Sequence, residues 1–304
     1  MNILHLSKYD SGGNGYFLSQ AIHTYTEHQS RALRAEQTYL SYPYDVLGTN
    51  ESILTNLIAW ADILHIRDNW EWLPNDIYDK PVVITFSGNM YRRRYKELHQ
   101  KCAEMGWMVT VSTIDLALLN SAPWMPNARQ DMTQDLFRND VFSVCHTPTY
   151  RDRKGTETVE KALGDMDGVK LVIVEGKPYR ECLATRSRCH VTIDQFRHGY
   201  GNSAIEAWSM AQPVISYAKA SPEVVPLIKD KFEYLPWCNS PEHVRYIRRW
   251  VTKLRDNESI YRGWRDAGRK WFFKNHHAPV VAGRAIKLYE MVLNGTQNIL
   301  DLQE

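Results

Sequence analysis

Met1-Asn2-Ile3-Leu4-His5-Leu6, then Ser11-Gly12-Gly13-Asn14-Gly15, then the periodic run Gly15–Glu27, reads as a strand, a glycine turn and a helix. Glycines allow the sharp turn, and a helix start offers amide N–H groups to an anion. The same alternation continues along the first half. Strands are predicted at Glu36–Leu40, Ile63–Ile66, Val82–Phe86 and Met108–Ser112, and helices at Glu51–Ala59 and Arg92–Glu104. The second half repeats it. Its strands are Val141–Cys145, Lys170–Val174, Val191–Ile193 and Pro213–Ser216; its helices are Thr156–Leu163, Ser203–Met210, Pro241–Asp256 and Tyr261–Asn275. Strands alternating with helices form parallel sheets covered on both faces. The fold class is therefore α/β, with two doubly wound domains.

Pro123, Pro126 and Asn127 mark a break between Pro123 and Asp135, where periodicity is lost. The expected division is residues 1–130 and 131–275, with residues 276–304 as a closing helix on the first domain. In open α/β sheets ligands bind beyond the carboxyl ends of the strands, and paired domains offer a crevice between them.

A length of 304 residues suits two such domains, and 43% hydrophobic with 24% charged residues suits buried cores. A formal charge of +2 is too small a bias to imply nucleic acid. Cys102, Cys145, Cys182, Cys189 and Cys238 form no Cys-x-x-Cys pair, which reads as reduced thiols in a cytoplasmic protein. No signal peptide is read at the start, and apolar runs such as Val169–Val174 are too short to span a bilayer.

Three loops follow predicted strands and carry candidate chemistry. The first is Ser11–Gly15, either an anion-binding turn or a plain connection. The second runs from His146 to Thr156 and holds Arg151 and Lys154. Fixed cations at a departing diphosphate favour the transition state over the ground state. Arg151 would grip two oxygens and Lys154 would act as a point charge; the alternative is a solvated basic loop. The binding reading predicts that Arg151→Ala and Lys154→Ala cut turnover and leave thermal stability nearly unchanged. The third is Arg197–Glu206, with Gly199 and Gly201 before a helix start. Glu206, one turn in, could bond two ribose hydroxyls. Ser203-x-x-Glu206 also spells a capping box.

The Gly199–Ala207 segment, with Ala211-Gln212-Pro213-Val214-Ile215 after it, resembles the second half of the Glu-x7-Glu motif of the family 4 glycosyltransferases and the strand that follows. His146-Thr147-Pro148, Lys154-Gly155-Thr156, Asp194-Gln195, Val111–Leu116, Trp124-Met125-Pro126-Asn127, Ala267-Gly268-Arg269 and Asn275-His276 extend the resemblance over most of the chain. The resemblance implies a GT-B fold and retaining transfer of a hexose from a nucleotide-diphosphate sugar, expected to be a UDP-sugar, with no cofactor and no essential metal. It implies that Arg151, Lys154, Gly201, Asn202 and Ser203 hold the donor diphosphate, that Glu206 takes the ribose, and that Gly12 and Gly13 lie near donor phosphate and acceptor. His198 stands where the generic motif has its first Glu, and Ser87 where the family commonly has a His. These two and Asp194 are the candidates at the reacting centre, with no general base or nucleophile assigned.

The acceptor belongs to the first domain by the same resemblance. Trp70, among Trp60, Trp72 and Trp107, and the run Tyr91-Arg92-Arg93-Arg94-Tyr95 are the candidates there. Exposed Trp faces would suit a saccharide or lipid-linked saccharide. Arg92 and Arg93 would suit the phosphates of DNA carrying a modified base. The other readings are a solvated basic helix face, a nucleotide-sugar-binding protein without transfer, and a nucleotide-sugar epimerase on the same fold.

Overall fold

The computed structural model describes residues 1–10, 12–120, 122–133, 139–196, 198–218 and 243–295. Contacts divide the chain into one unit of Met1–Arg129 with Ala278–Glu304 and another of Gln130–His277. The first unit is built on six parallel strands in the order β3-β2-β1-β4-β5-β6. They are β1 (Asn2–Ser7), β2 (Gln29–Arg34), β3 (Val46–Leu47), β4 (Ile63–Arg67), β5 (Val82–Phe86) and β6 (Met108–Val111). This is the strand order of a doubly wound nucleotide-type sheet.

The reason lies in the strands' composition. β1, β4 and β5 are near-continuous apolar runs, as strands covered on both faces must be. Leu4, Leu6, Leu64, Ile66, Ile84 and Phe86 share one core with helices α2 (Glu51–Trp60) and α3 (Gly88–Glu104). Ile3, Ile63 and Val83, one residue out of phase, face the other side. There they meet α1 (Asn14–Tyr25) and the helix Ala278–Leu293, which returns to this unit.

One predicted strand is wrong. Glu36–Leu40 is loop, and the strand is Gln29–Arg34. Its sequence, Gln-Ser-Arg-Ala-Leu-Arg, hides the pattern, because Arg34 is buried although charged. Its guanidinium donates to the Gln37 side chain and to the Tyr42 carbonyl at 3.2 Å. Helix α4 (Ile114–Asn120) was also not anticipated.

The second unit carries four parallel strands in the order β11-β9-β7-β8. These are β7 (Ser143–His146), β8 (Lys170–Ile173), β9 (Val191–Ile193) and β11 (Val214–Ile215). A short antiparallel pair, β10 (His198–Gly199) with β12 (Tyr217–Ala218), lies beside them. Helices α5 (Arg151–Lys154), α6 (Thr156–Leu163), α7 (Tyr179–Ser187) and α8 (Asn202–Ser209) follow their strands, and the helices His243–Asp256 and Glu258–Asn275 close the unit. Val144, Val191, Ile193 and Ile215 pack with Val159 and Leu163 of α6 and with Ile247 and Val251. Each unit is thus a parallel, helix-covered α/β layer structure.

Gly268 shows how tightly α8 is held. A methyl group there would lie 2.3 Å from Trp208 Cδ1 and 2.7 Å from its Nε1. Trp208 is buried and fixed in turn by Tyr200, whose ring centroid is 4.8 Å away. Gly268→Ala is therefore expected to cost about 1–3 kcal/mol of stability, and a thermal melt should fall by about 3–10 °C. An unchanged melting temperature would mean that the helix Glu258–Asn275 shifts freely from α8.

Candidate functional site

The carboxyl edge of the second unit's sheet brings Lys154 of the His146–Thr156 loop to Asp194 and Gly201. Gly155 turns the chain from α5 into α6 with φ of 73°, the left-handed region that favours glycine. A side chain there would also meet Phe196 Cδ2 at 2.8 Å. This turn sets Lys154 at the end of α5, with its ammonium 2.5 Å from Asp194 Oδ1. The other oxygen of Asp194 accepts the Gly201 N–H at 2.5 Å. A Cβ on Gly201 would stand 3.6 Å from Lys154 Nζ, so the glycine leaves the ammonium open to the tip of α8.

Asp194 is buried, while Lys154 keeps 17% side-chain exposure. Asp194 thus ties a cation to a helix N-terminus, where the first amides lack helical acceptors and carry partial positive charge. Lys154 has three donor hydrogens, and Asp194 is its one hydrogen-bond partner among the described residues. Asp194, bonded to both Lys154 and the Gly201 N–H, fixes the geometry of the cluster.

Glu206 is not a cap. α8 starts at Asn202 with Gly201 as its N-cap and no side-chain cap bond, so Ser203 falls inside the helix. Ser203 Oγ instead lies 3.2 Å from Thr147 Oγ1. The Glu206 carboxylate is paired with Arg186 of α7, both buried, and Arg186 Nη2 donates to Thr147 Oγ1 at 2.6 Å. Thr147 and Arg186 were not singled out. Thr147 stood inside a quoted loop, but α7 has almost no amphipathic pattern, so nothing in the sequence marked Arg186 as buried.

His146 is structural. Its ring bridges the Ile193 carbonyl at 2.9 Å and Thr156 Oγ1 at 3.0 Å, and burial holds its pKa below the ordinary imidazole value. Arg151 stands apart from the Lys154 group. Half exposed, it is held by Glu160 at 2.5 Å and Glu175 at 2.7 Å. The side chain of His198 lies outside the described residues; its backbone pairs with Ala218. Cys145, Cys182 and Cys189 share one small cluster, and with Cys102 they are free thiols. Cys238 lies outside the described residues.

The glycine turn of the first unit has partners of its own. The helix-start amides read as open to an anion serve a residue of the turn itself. Gly13 N–H donates to the Asp10 carbonyl at 2.8 Å, and Gly15 and Tyr16 N–H donate to its carboxylate at 3.1 and 3.3 Å. The Gly12 carbonyl accepts from Arg129 at 2.8 Å. A carboxylate built into the turn is always present at the helix tip, where its charge is favoured. Ser87 donates through N–H at 2.6 Å and Oγ at 2.7 Å to Asp68, a residue with φ of 62° at the end of β4. Burial raises the pKa of Asp68 above the usual carboxylate value, against the Ser87 hydrogen bonds.

The acceptor candidates are more occupied than the sequence suggested. Arg92 forks onto Asp115 at 2.9 and 2.5 Å, and Arg94 pairs with Glu97 at 2.6 Å; Arg93 is exposed. Trp70 packs edge-on against Trp107 and Phe86, with centroids 5.6 and 6.3 Å apart. The Trp72 indole donates to the Asn69 carbonyl at 3.0 Å. Among the described residues no group of three or more His, Cys, Asp or Glu side chains is arranged to hold a metal ion, and no helix is long and apolar enough to cross a membrane.

Solved structures share this fold along nearly the whole chain. A glycosyltransferase from Rickettsia africae superposes with a TM-score of 0.65 at 13% identity, over 96% of this chain and 98% of that one. HepE of Anabaena, solved with UDP and glucose, gives 0.63 at 10% identity over 95% and 99%. An alpha-glucosyltransferase, solved with UDP and a 13-mer DNA containing an HMU base, gives 0.62 at 9% identity over 97% and 99%. No protein-family model matches the chain, and no curated protein matches it in sequence. At these identities the shared property is the fold, and what the site does must be argued from its own residues.

Proposed function

We propose that this chain is a glycosyltransferase that moves a hexose from a nucleotide-diphosphate sugar, a UDP-sugar, to a hydroxyl of a saccharide or glycolipid, with retention at the anomeric carbon. The observation that carries the reading is the Lys154–Asp194–Gly201 cluster at the N-terminus of α8. As the bond from the anomeric carbon to the diphosphate breaks, its electron pair passes to the leaving oxygen. Lys154 and the amides of Asn202 and Ser203 would stabilise that growing charge. The acceptor hydroxyl oxygen forms the new bond at the anomeric carbon, and its proton passes to the departing diphosphate. Glu206, within the first turns of the same helix, suits the ribose. Similarity of fold to proteins solved with UDP supports the donor class.

The test is a thermal-shift panel of UDP, ADP, GDP and their glucose conjugates on the full chain, followed by assay of diphosphate release. A ligand that binds only the native state at 100 times its Kd adds about 2.7 kcal/mol of stability. UDP and UDP-glucose are expected to raise the melting temperature most, and Glu206→Gln to remove most of that rise. Binding without turnover on any offered saccharide, glycolipid or hydroxymethylated-base DNA would leave a binding protein. A changed sugar released without acceptor would leave an epimerase.

A further inference from the structure

We infer that Arg186 is the positioning residue that gives the site its preference for a ribose over a deoxyribose diphosphate, by fixing the Glu206 carboxylate toward the 2′,3′-diol. The inference rests on the nucleotide-sugar reading above and names a residue that it left aside.

Arg186 and Glu206 are 2% and 3% exposed. A pair so deep regains little of the solvation it gives up, and an apolar pair of the same volume would hold the fold as well or better. Its geometry, however, connects the elements that form the site. One guanidinium nitrogen donates to Glu206 Oε2 and another to Thr147 Oγ1 at 2.6 Å, while Nε has no partner among the described residues. Thr147 Oγ1 lies in turn 3.2 Å from Ser203 Oγ, in the first turn of α8.

The anchor below is equally defined. Gln212 donates to the carbonyls of Arg186 and Cys189 at 2.7 and 2.9 Å and accepts from Thr192 Oγ1 at 2.9 Å, fastening the end of α7 to β9. Arg186 therefore has little freedom, and neither has the carboxylate it holds. A ribose diol presents two O–H donors, and a carboxylate accepts both only when its plane is set before binding. Arg186 takes one side of Oε2 and supplies the counter-charge. A lysine there would keep the charge but cannot span Glu206 and Thr147 with a planar fork.

The experiment is calorimetric titration of the full chain with UDP and with 2′-deoxy-UDP. The native protein is expected to bind UDP at least tenfold more tightly than the deoxy form. Arg186→Lys should reduce that ratio to about twofold or less, with near-native melting. The double variant Arg186→Met with Glu206→Met should fold as stably as the native chain and bind both nucleotides alike and weakly. A native-like ratio in Arg186→Lys or in the double variant overturns the inference, as does native protein that binds UDP without a 2′ preference. Native protein that binds neither nucleotide overturns the donor reading itself, and the inference with it.

Discussion

Lys154→Ala is expected to lower turnover by about 100-fold or more and also to destabilise the second unit by about 1–3 kcal/mol. The sequence alone led to the first half of that result and to the opposite of the second, because a cation in a loop reads as expendable for folding. The structure changes the expectation. Lys154 is the counter-ion of a buried carboxylate, and removing it leaves that carboxylate with the Gly201 N–H as its remaining hydrogen-bond donor among the described residues. Breaking a buried pair from one side costs more than the pair is worth, since an uncompensated charge stays behind. The partial exposure of Lys154 and the surviving Gly201 bond keep the cost at the lower end. The two losses separate in a double variant. Lys154→Met with Asp194→Asn removes both charges, and the asparagine carbonyl still accepts from Gly201. Stability should return to within about 1 kcal/mol of native, with turnover still lost. A double variant that regains turnover would exclude Lys154 from diphosphate stabilisation. Arg151→Ala, by contrast, breaks only exposed pairs and should leave stability within about 1 kcal/mol of native.

Acid should loosen the first unit well above the carboxylate range. His5 and His65 stand side by side in the sheet, their ring centroids 5.1 Å apart, both buried. His65 bonds Tyr289 OH and Thr85 Oγ1, each at 2.6 Å, and His5 bonds Ser30 Oγ at 3.1 Å. Burial first, and Arg67 second, bring the pKa of His5 down to about 3. Burial, with His5 and Arg67 nearby, holds His65 well below the ordinary imidazole value. The sign follows from linkage. Below about pH 6.5 the unfolded chain takes up protons that the folded chain refuses, so stability is complete above that pH and falls as pH drops toward 3. His5 contributes a loss of about 2 kcal/mol between pH 7 and 5, and His65 acts in the same direction. Urea unfolding at the two pH values measures it. His5→Asn should start less stable at pH 7 yet lose about 2 kcal/mol less on going to pH 5. Equal loss in native and variant protein would show that His5 is not the titrating group.

What could be read early and what could not divides along physical lines. β1, β4 and β5 were legible because a parallel strand covered on both faces needs a near-continuous apolar run, and such runs are conspicuous. β2 was not, because it ends in Arg34, a charged residue buried against acceptors of the loop that follows it, Gln37 and Tyr42. Lys154, Asp194 and Gly201 were each marked by position after a strand, and the fold brings them within hydrogen-bond reach. The capping-box spelling at Ser203 and Glu206 is not used, since the N-cap is Gly201, two residues before Ser203.

The amino-acid order alone determined the layering of strands and helices and the loops that end at the sheet edges, since periodicity and glycine placement are local properties that survive without partners. Which charges are spent inside the protein was decided only in three dimensions. Asp10 occupies the helix tip that looked open, Arg186 takes hold of Glu206, and Asp194 sits beneath Lys154. The physical reason is that a buried charge is tolerated only with its partner beside it, and that partner may lie 20 or 40 residues away in the chain.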